Sequence, residues 1–349
     1  MNKIYLFIFI TVFLFKTETV FSGNKTFNVD NIIINNSNNL NKQELLDKAF
    51  KKGFQNLSRK ILQNIDAQKI VNTELVEIKK LILSYQIKKN KKNKTNSDVT
   101  INLSFNREKI NNFFYNRNIQ YADIQKTDLV LFPVLVENNN FYLFTENYFF
   151  NQWNKKKNKN FDEFINYFLP IENLEDIRSI NQNKENLESI DAKAILAQYN
   201  LSDYIFLIIK PTKKETDVFL KGVISGNKII KNLKISKVNK DKNINYENTI
   251  KEIKTQISEL WKSQNLIDVR TPSFLNITLD LKKNNDLLKL QNILDNIDLI
   301  VNYQVLELNK EYAKIKIKYL GKINKIKSKL DQNKIKVIIL DNQWKLKLI

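Results

Sequence analysis

Between Ala313 and Leu320 the chain alternates without a break. Ala313, Ile315, Ile317 and Tyr319 are apolar or aromatic, and Lys314, Lys316 and Lys318 sit between them. Successive side chains of a strand point to opposite faces, so this pattern suits a strand with one face in a core and the other in water. The stretches around it narrow the choice further. Phe274–Leu281, Leu299–Leu308 and Lys334–Leu340 read as strands, with a short last strand ending at Ile349. Asp286–Asn296 and Lys322–Leu330 read as helices, because Leu287, Leu290 and Leu294, and then Ile323, Ile326 and Leu330, recur at helical spacing. The expectation for 271–349 is a ferredoxin-like βαββαβ sandwich, an antiparallel sheet with helices on one face. That is the pattern of a scaffold and names no reaction.

Upstream the chain reads as more α+β units, two or three small antiparallel-sheet-plus-helix domains in all. Residues 1–22 have the layout of a secretory signal: Lys3, an apolar run from Ile4 to Phe15, then Val20 and Ser22 at the small-residue positions of a cleavage site. The run is short for a spanning helix, which needs about 20 residues. A strand over Thr26–Asn35 precedes a helix opened by an Asn41/Glu44 capping box. Its broad apolar face holds Leu45, Leu46, Ala49, Phe50, Gly53, Phe54, Leu57 and Ile61. Gly53 inside a helix costs about 1 kcal/mol against Ala, which points to close packing there. A helix over Thr73–Leu81, a hairpin of Ser84–Lys89 with Val99–Phe105, and a helix over Arg107–Asn116 complete a domain spanning 23–122.

The middle region, 123–270, begins with the continuous apolar run Asp128–Val136. An Asn-rich turn, a return strand at Phe141–Phe144 and an aromatic helix carrying Tyr148, Phe149, Phe150 and Trp153 follow. A strand is expected from Leu169-Pro170 and a short helix over Asp191–Tyr199. A meander of Tyr204–Lys210, Thr216–Ile224 and Lys228–Lys237 comes next, then a helix over Asn248–Lys262. The middle region ends before Pro272.

Composition removes whole classes of chemistry. The 349 residues contain no Cys and no His. Ser-His-Asp triads, Cys nucleophiles, His- or Cys-bound metal, haem attachment and iron–sulfur clusters all go with them. Five Gly and no G-x-G-x-x-G or G-x-x-x-x-G-K-[ST] argue against phosphate cradles. The net charge of +20 comes from Lys, with five Arg (Arg59, Arg107, Arg117, Arg178, Arg270). Nucleic-acid readers lean on Arg forks, so no nucleic-acid partner is expected. Lys, Asn and Ile are abundant throughout, as AT-rich codon usage would produce. The two densest basic tracts are Lys88–Lys94 and Lys155–Lys159.

The remaining candidate motifs are weak. Ser225-Gly226-Asn227-Lys228 matches S-x-x-K, in which Lys activates a Ser nucleophile, but it falls between two apolar alternating runs where Gly-Asn is turn chemistry. Glu172, Glu175 and Asp176 could act as acid and base or hold an oxygen-bound ion, yet acids after a strand more often open a helix. Asp268 and Arg270 form a pair ahead of Pro272. No catalytic, cofactor-binding or metal-ligating residue is assigned, and no cofactor is expected.

Three stretches carry a family resemblance: the helix Glu44–Leu62 after an N-terminal strand, Leu131–Leu135 followed by Trp153, and Val301–Lys329 with Tyr303–Leu308 and Tyr319–Gly321. Together they resemble an exported bacterial family catalogued as domain of unknown function 2066. The chain departs from it in being poor in Gly, Ala and Arg. The resemblance implies no catalytic residues.

The expectation is therefore an exported, non-enzymatic periplasmic envelope protein that binds a protein or the cell wall. A carboxylate- or metal-dependent hydrolase is one alternative, and a Lys-based binder of anionic lipid or glycan is another. Because the lysines look diffuse along the sequence, any contact with an anionic membrane surface is expected to be weak and lost with salt.

Overall fold

The computed structural model describes residues 26–35, 40–89, 98–123, 126–155, 164–196, 199, 201–283, 285–340 and 343–348. The apolar leader at 1–22 and most of the two lysine tracts lie outside these residues. The fold is mixed α+β.

In chain order the first elements are β1 (Asn28–Ile34), α1 (Lys42–Ile61), α2 (Asn64–Lys69), α3 (Leu75–Leu81), β2 (Ile82–Lys89), β3 (Val99–Phe105), α4 (Arg107–Tyr115) and β4 (Tyr121–Ala122). Next come β5 (Thr127–Glu137), β6 (Asn140–Tyr142), α5 (Tyr148–Gln152), β7 (Ile165–Phe168), α6 (Leu174–Gln182), α7 (Ala192–Leu196), β8 (Tyr204–Pro211), β9 (Glu215–Ile224), β10 (Asn227–Ser236), α8 (Lys242–Gln264) and β11 (Leu266–Ile267). The last are β12 (Ser273–Asp280), α9 (Asp286–Asp295), β13 (Ile300–Leu308), β14 (Tyr312–Tyr319), α10 (Ile323–Gln332), β15 (Ile335–Leu340) and β16 (Gln343–Leu348). Contacts gather the chain into two compact units. One is formed by the described parts of Met1–Leu57, Ile70–Gln120 and Ile267–Ile349, the other by Ser58–Lys69 and Tyr121–Leu266.

In the first unit, β1, β3 and β2 form an antiparallel sheet in that order. Asn41 opens α1 with a reciprocal capping box. Its Oδ1 accepts from the Glu44 N–H at 2.9 Å, and its own N–H donates to Glu44 Oε2 at 3.0 Å. Leu46, Ala49, Phe50, Phe54 and Leu57 are buried along one stripe of α1. Gly53 lets the helix come close to the sheet, since a Cβ there would lie 2.3 Å from the Leu103 Cδ1.

The same unit holds a five-stranded sheet in the order β13-β14-β12-β16-β15. The succession strand, helix, strand, strand, helix, strand is present in the chain. The sheet adds β16, which lies parallel to β12 and antiparallel to β15 and so separates β15 from β12. Links within the unit include Thr26 Oγ1 donating to Asp298 at 2.9 Å and Arg107 donating to the Ile297 carbonyl at 3.0 Å.

The second unit is built on a six-stranded mixed sheet, β10-β9-β8-β5-β6, with β7 also paired to β5. β5 runs parallel to β7 and β8. Both faces of the central strands β5 and β8 are covered. On one, Leu129, Leu131, Ile205 and Leu207 pack with Phe149 of α5, with Trp153 just after it, and with Ile253, Ile257 and Trp261 of α8. On the other, Val130, Phe132, Phe206 and Ile208 pack with Ile180, Leu187, Ile195 and Leu196 around α6 and α7. This explains why β5 reads as a continuous apolar run, the mark of a strand buried on both sides. Gly222 of β9 is required by close approach, because a Cβ there would lie 2.0 Å from the Tyr204 carbonyl oxygen.

Several expected elements shift. No strand starts at Leu169-Pro170. β7 ends at Phe168, and a proline offers no N–H to continue a ladder. The long helix starts at Lys242, six residues before Asn248, because the Asp241 carboxylate accepts from the N–H groups of Asn243 and Ile244. α2 has no counterpart in the sequence reading, and α6 begins at the acids expected to open a helix.

Candidate functional site

The five-stranded sheet of the first unit is buried on one face. Leu275, Ile277, Leu279, Ala313, Ile315, Ile317, Val337 and Leu346 are enclosed there, as are Leu290 and Leu294 of α9 and Ile326 and Leu330 of α10. The intervening residues point the other way, and pairing fixes which of them are neighbours. Lys314, Lys316 and Lys318 of β14 stand opposite Thr278, Asn276 and Phe274 of β12, and opposite Glu307, Gln304 and Asn302 of β13. Thr278 pairs with Lys345 of β16. Lys345 and Lys347 in turn pair with Ile338 and Lys336 of β15.

Six lysines, at 314, 316, 318, 336, 345 and 347, therefore share one sheet face, with Glu307 and Asp280 as its acids. Lys314, Lys316, Lys336 and Lys347 are exposed, and Lys318 and Lys345 are half-buried. Outward residues recur about every 7 Å along a strand, and strands lie about 4.8 Å apart. The result is a cationic grid on one side of the sheet. Phe274, 58% exposed, rises among the lysines, with the Lys316 Nζ 4.8 Å from its ring centroid. An exposed aromatic beside cations combines a charge contact with an apolar one.

One corner of the grid is internally satisfied. Glu307 accepts from Lys314 Nζ at 2.7 Å and from the Tyr312 hydroxyl. The hydrogen bond from Lys314, and after it the one from Tyr312, hold the Glu307 carboxyl below its ordinary range. The same carboxylate raises Lys314 and Tyr312. Lys314 is thereby the least available of the six to an outside anion.

The residues singled out from the sequence fall elsewhere. Ser225 and Gly226 are the two corners of the β9–β10 turn, with φ of 51° and 79°. Ile224 pairs with Asn227, so the turn lies one residue earlier than the expected Gly-Asn, and Asn227 belongs to β10. The Ser225 Oγ accepts from Asn265 Nδ2 at 2.9 Å. Glu175 and Asp176 sit in the first turn of α6, where the Asn173 side chain accepts from the Asp176 N–H at 2.8 Å. Burial raises Asp176. Glu172 instead accepts from Thr145 Oγ1 at 3.2 Å. Among the described residues no group of three or more carboxylates is placed to hold a metal ion.

Asp268 and Arg270 do pair, through Nε and Nη2 at 2.8 Å each. The aromatic helix is core: Phe149 packs on Tyr246, Phe150 on Phe144 and Trp153 on Tyr167. The sequence showed one row of the lysine grid, at β14. It could not show that β15 and β16 add three more, because strand order is not written in any local pattern.

What the fold and this surface define is an α+β protein with one bare, lysine-bearing sheet face. Comparison with family models, curated proteins and solved structures finds no match to the chain. Among the described residues no helix is long and apolar enough to cross a membrane.

Proposed function

We propose that the chain is an exported, non-enzymatic envelope protein that works by binding, and that it binds anionic lipid headgroups through the lysine face of its five-stranded sheet. The observation carrying this reading is the convergence of six lysines and an exposed Phe274 on one face. A cation near an anionic membrane contributes about 1 kcal/mol, and the attraction decays within a Debye length of about 8 Å. Clustered lysines act together at such a surface, whereas the same number scattered over the molecule do not. Export rests on the charged, apolar and small-residue order of residues 1–22.

The test is co-sedimentation with phosphatidylglycerol vesicles and with neutral phosphatidylcholine vesicles, at about 50 and about 300 mM salt. The reading expects binding to the anionic vesicles that weakens with salt. Equal binding to neutral vesicles, or none to either, would overturn it. Binding to a soluble anionic glycan but not to vesicles would move the ligand from lipid to polymer.

A further inference from the structure

The lysine face is not uniform along its strands, because pairing arranges it in rows that cross the sheet. At one end Asp280 pairs with Tyr312, and the next row holds Thr278, Lys314 and Glu307. Lys345 joins that row beside Thr278. Since β16 runs parallel to β12, Lys347 lies one row nearer to Asp280, with Lys336 as its partner on β15. In the other direction come Asn276, Lys316 and Gln304, and the last row is Phe274, Lys318 and Asn302. The Phe274 end thus carries two lysines and no acid, and the Asp280 end four lysines and two acids, a net charge of +2 at either end. Coulomb attraction to an anionic surface therefore does not choose between them. Desolvation does. Carboxylates lose hydration at a membrane interface, whereas the exposed ring of Phe274 gains by leaving water.

We propose that Phe274 is the residue that enters the bilayer, so that the protein docks by the Phe274 end of its lysine face and keeps the Asp280 end in water. The inference rests on the lipid reading and deepens it: Phe274 is the part of the face that distinguishes a bilayer from a dissolved polyanion. β12 is an interior strand of its sheet, so the ring is presented from a fixed backbone and little order has to be gained on binding. The Lys316 Nζ stands 4.8 Å from the ring centroid, and Lys318 is directly opposite on β14. The long stems of these lysines let their ammonium groups stay at the level of the lipid phosphates while the ring passes beyond them. Interfacial binding of this kind adds buried apolar area to the attraction for anionic headgroups. A soluble polyanion offers the same negative groups but no apolar layer, and there the ring contributes nothing.

Phe274→Ala changes an exposed position and should leave circular dichroism unchanged. On phosphatidylglycerol vesicles it should weaken binding roughly tenfold. The factor should be the same at about 50 and about 150 mM salt, because salt screens charges and not an apolar contact. On soluble inorganic polyphosphate the variant should bind as wild type does. The chain has no cysteine, so a single introduced one carries an environment-sensitive fluorophore at a known place. Attached through Asn302→Cys, in the Phe274 row, the label should shift to the blue on vesicles. Attached through Lys310→Cys, in the β13–β14 turn next to the Asp280 end, it should not. If wild type binds vesicles and Phe274→Ala binds them equally well, the inference falls and the lipid reading stands. The same holds if the Lys310→Cys label shifts as far as the Asn302→Cys label, or if Phe274→Ala loses as much on polyphosphate as on vesicles. Wild type that binds no vesicles would overturn both.

Discussion

The six-stranded sheet of the second unit and the five-stranded sheet of the first use similar strands to opposite ends. β5 and β8 bury both faces, so that Leu129, Val130, Leu131 and Phe132 are all enclosed. β14 buries one face and spends the other on Lys314, Lys316 and Lys318. Central strands sandwiched between helices have no face left to meet a partner, and their residues answer to packing alone, whereas β9 and β10 at one side of that sheet alternate between buried and water-facing residues. A sheet with a bare face can change its outward residues at little cost to stability, so what stands there is open to a different demand. The contrast is the reason the proposal rests on the sheet that looks less finished.

The sharpest way to break this contrast is by stability. Phe132, 2% exposed, packs between Phe144 and Phe206 at ring-centroid distances of 5.6 and 5.8 Å. Phe132→Ala should cost about 3–5 kcal/mol in urea unfolding. A loss below about 1 kcal/mol would mean that face of the sheet is not a packed core.

Lys262 tests the two-sided unit next. It is 2% exposed and donates to the Arg59 and Leu62 carbonyls at 2.7 Å each and to Glu259 at 3.1 Å. Removing it strands those acceptors, so Lys262→Ala should cost about 3 kcal/mol. Burial lowers the Lys262 ammonium below its ordinary value. Between the folded and unfolded values the unfolded chain holds a proton the folded one has released, so stability rises with pH there. Wild type should therefore gain stability relative to Lys262→Met as pH climbs toward the ordinary lysine value of 10.5. A falling difference would contradict the burial argument.

The exposed Asp268–Arg270 pair of the first unit should matter much less. Hydrogen bonds from the Arg270 side chain hold Asp268 down to about 2. A depressed carboxylate stabilises above its unfolded value and loses that contribution as pH falls through the folded one. Because the pair is open to solvent, Asp268→Asn should cost under about 1 kcal/mol. The difference from wild type should be flat at neutral pH and close only as pH falls below about 4 toward 2, measured by thermal unfolding across that range.

Much of this architecture was readable beforehand, and particular residues show why. The alternation Ala313–Tyr319 and the unbroken Leu129–Leu135 run announce a one-sided and a two-sided strand through side-chain period alone. The Asn41/Glu44 box and the Leu46–Leu57 stripe did the same for α1. The acids at Glu175 and Asp176 mark the start of α6, where Asn173 supplies the cap, but its nine residues give too few periods to fix its extent. α8 starts at Lys242 and not at the expected Asn248 because the Asp241 cap outweighs Asn243 and Asn245, which are poor helix formers. The lysine grid was beyond any local reading. Lys345 and Lys347 join Lys314–Lys318 only because β16 docks parallel to β12, a pairing between segments more than sixty residues apart.

The most direct test compares placement at constant charge. Lys316, Lys336 and Lys347, all exposed, replaced together by Gln remove three charges from the bare face. Lys228, Lys237 and Lys240, all exposed, replaced by Gln remove three from elsewhere. Both variants should unfold within about 0.5 kcal/mol of wild type, as surface substitutions do. On anionic vesicles at low salt, the account predicts that the first variant loses roughly 100-fold in affinity, about 1 kcal/mol per lysine, and that the second stays close to wild type. Equal losses in the two variants would mean that net charge alone drives binding, and that the lysine face is an ordinary solvated surface.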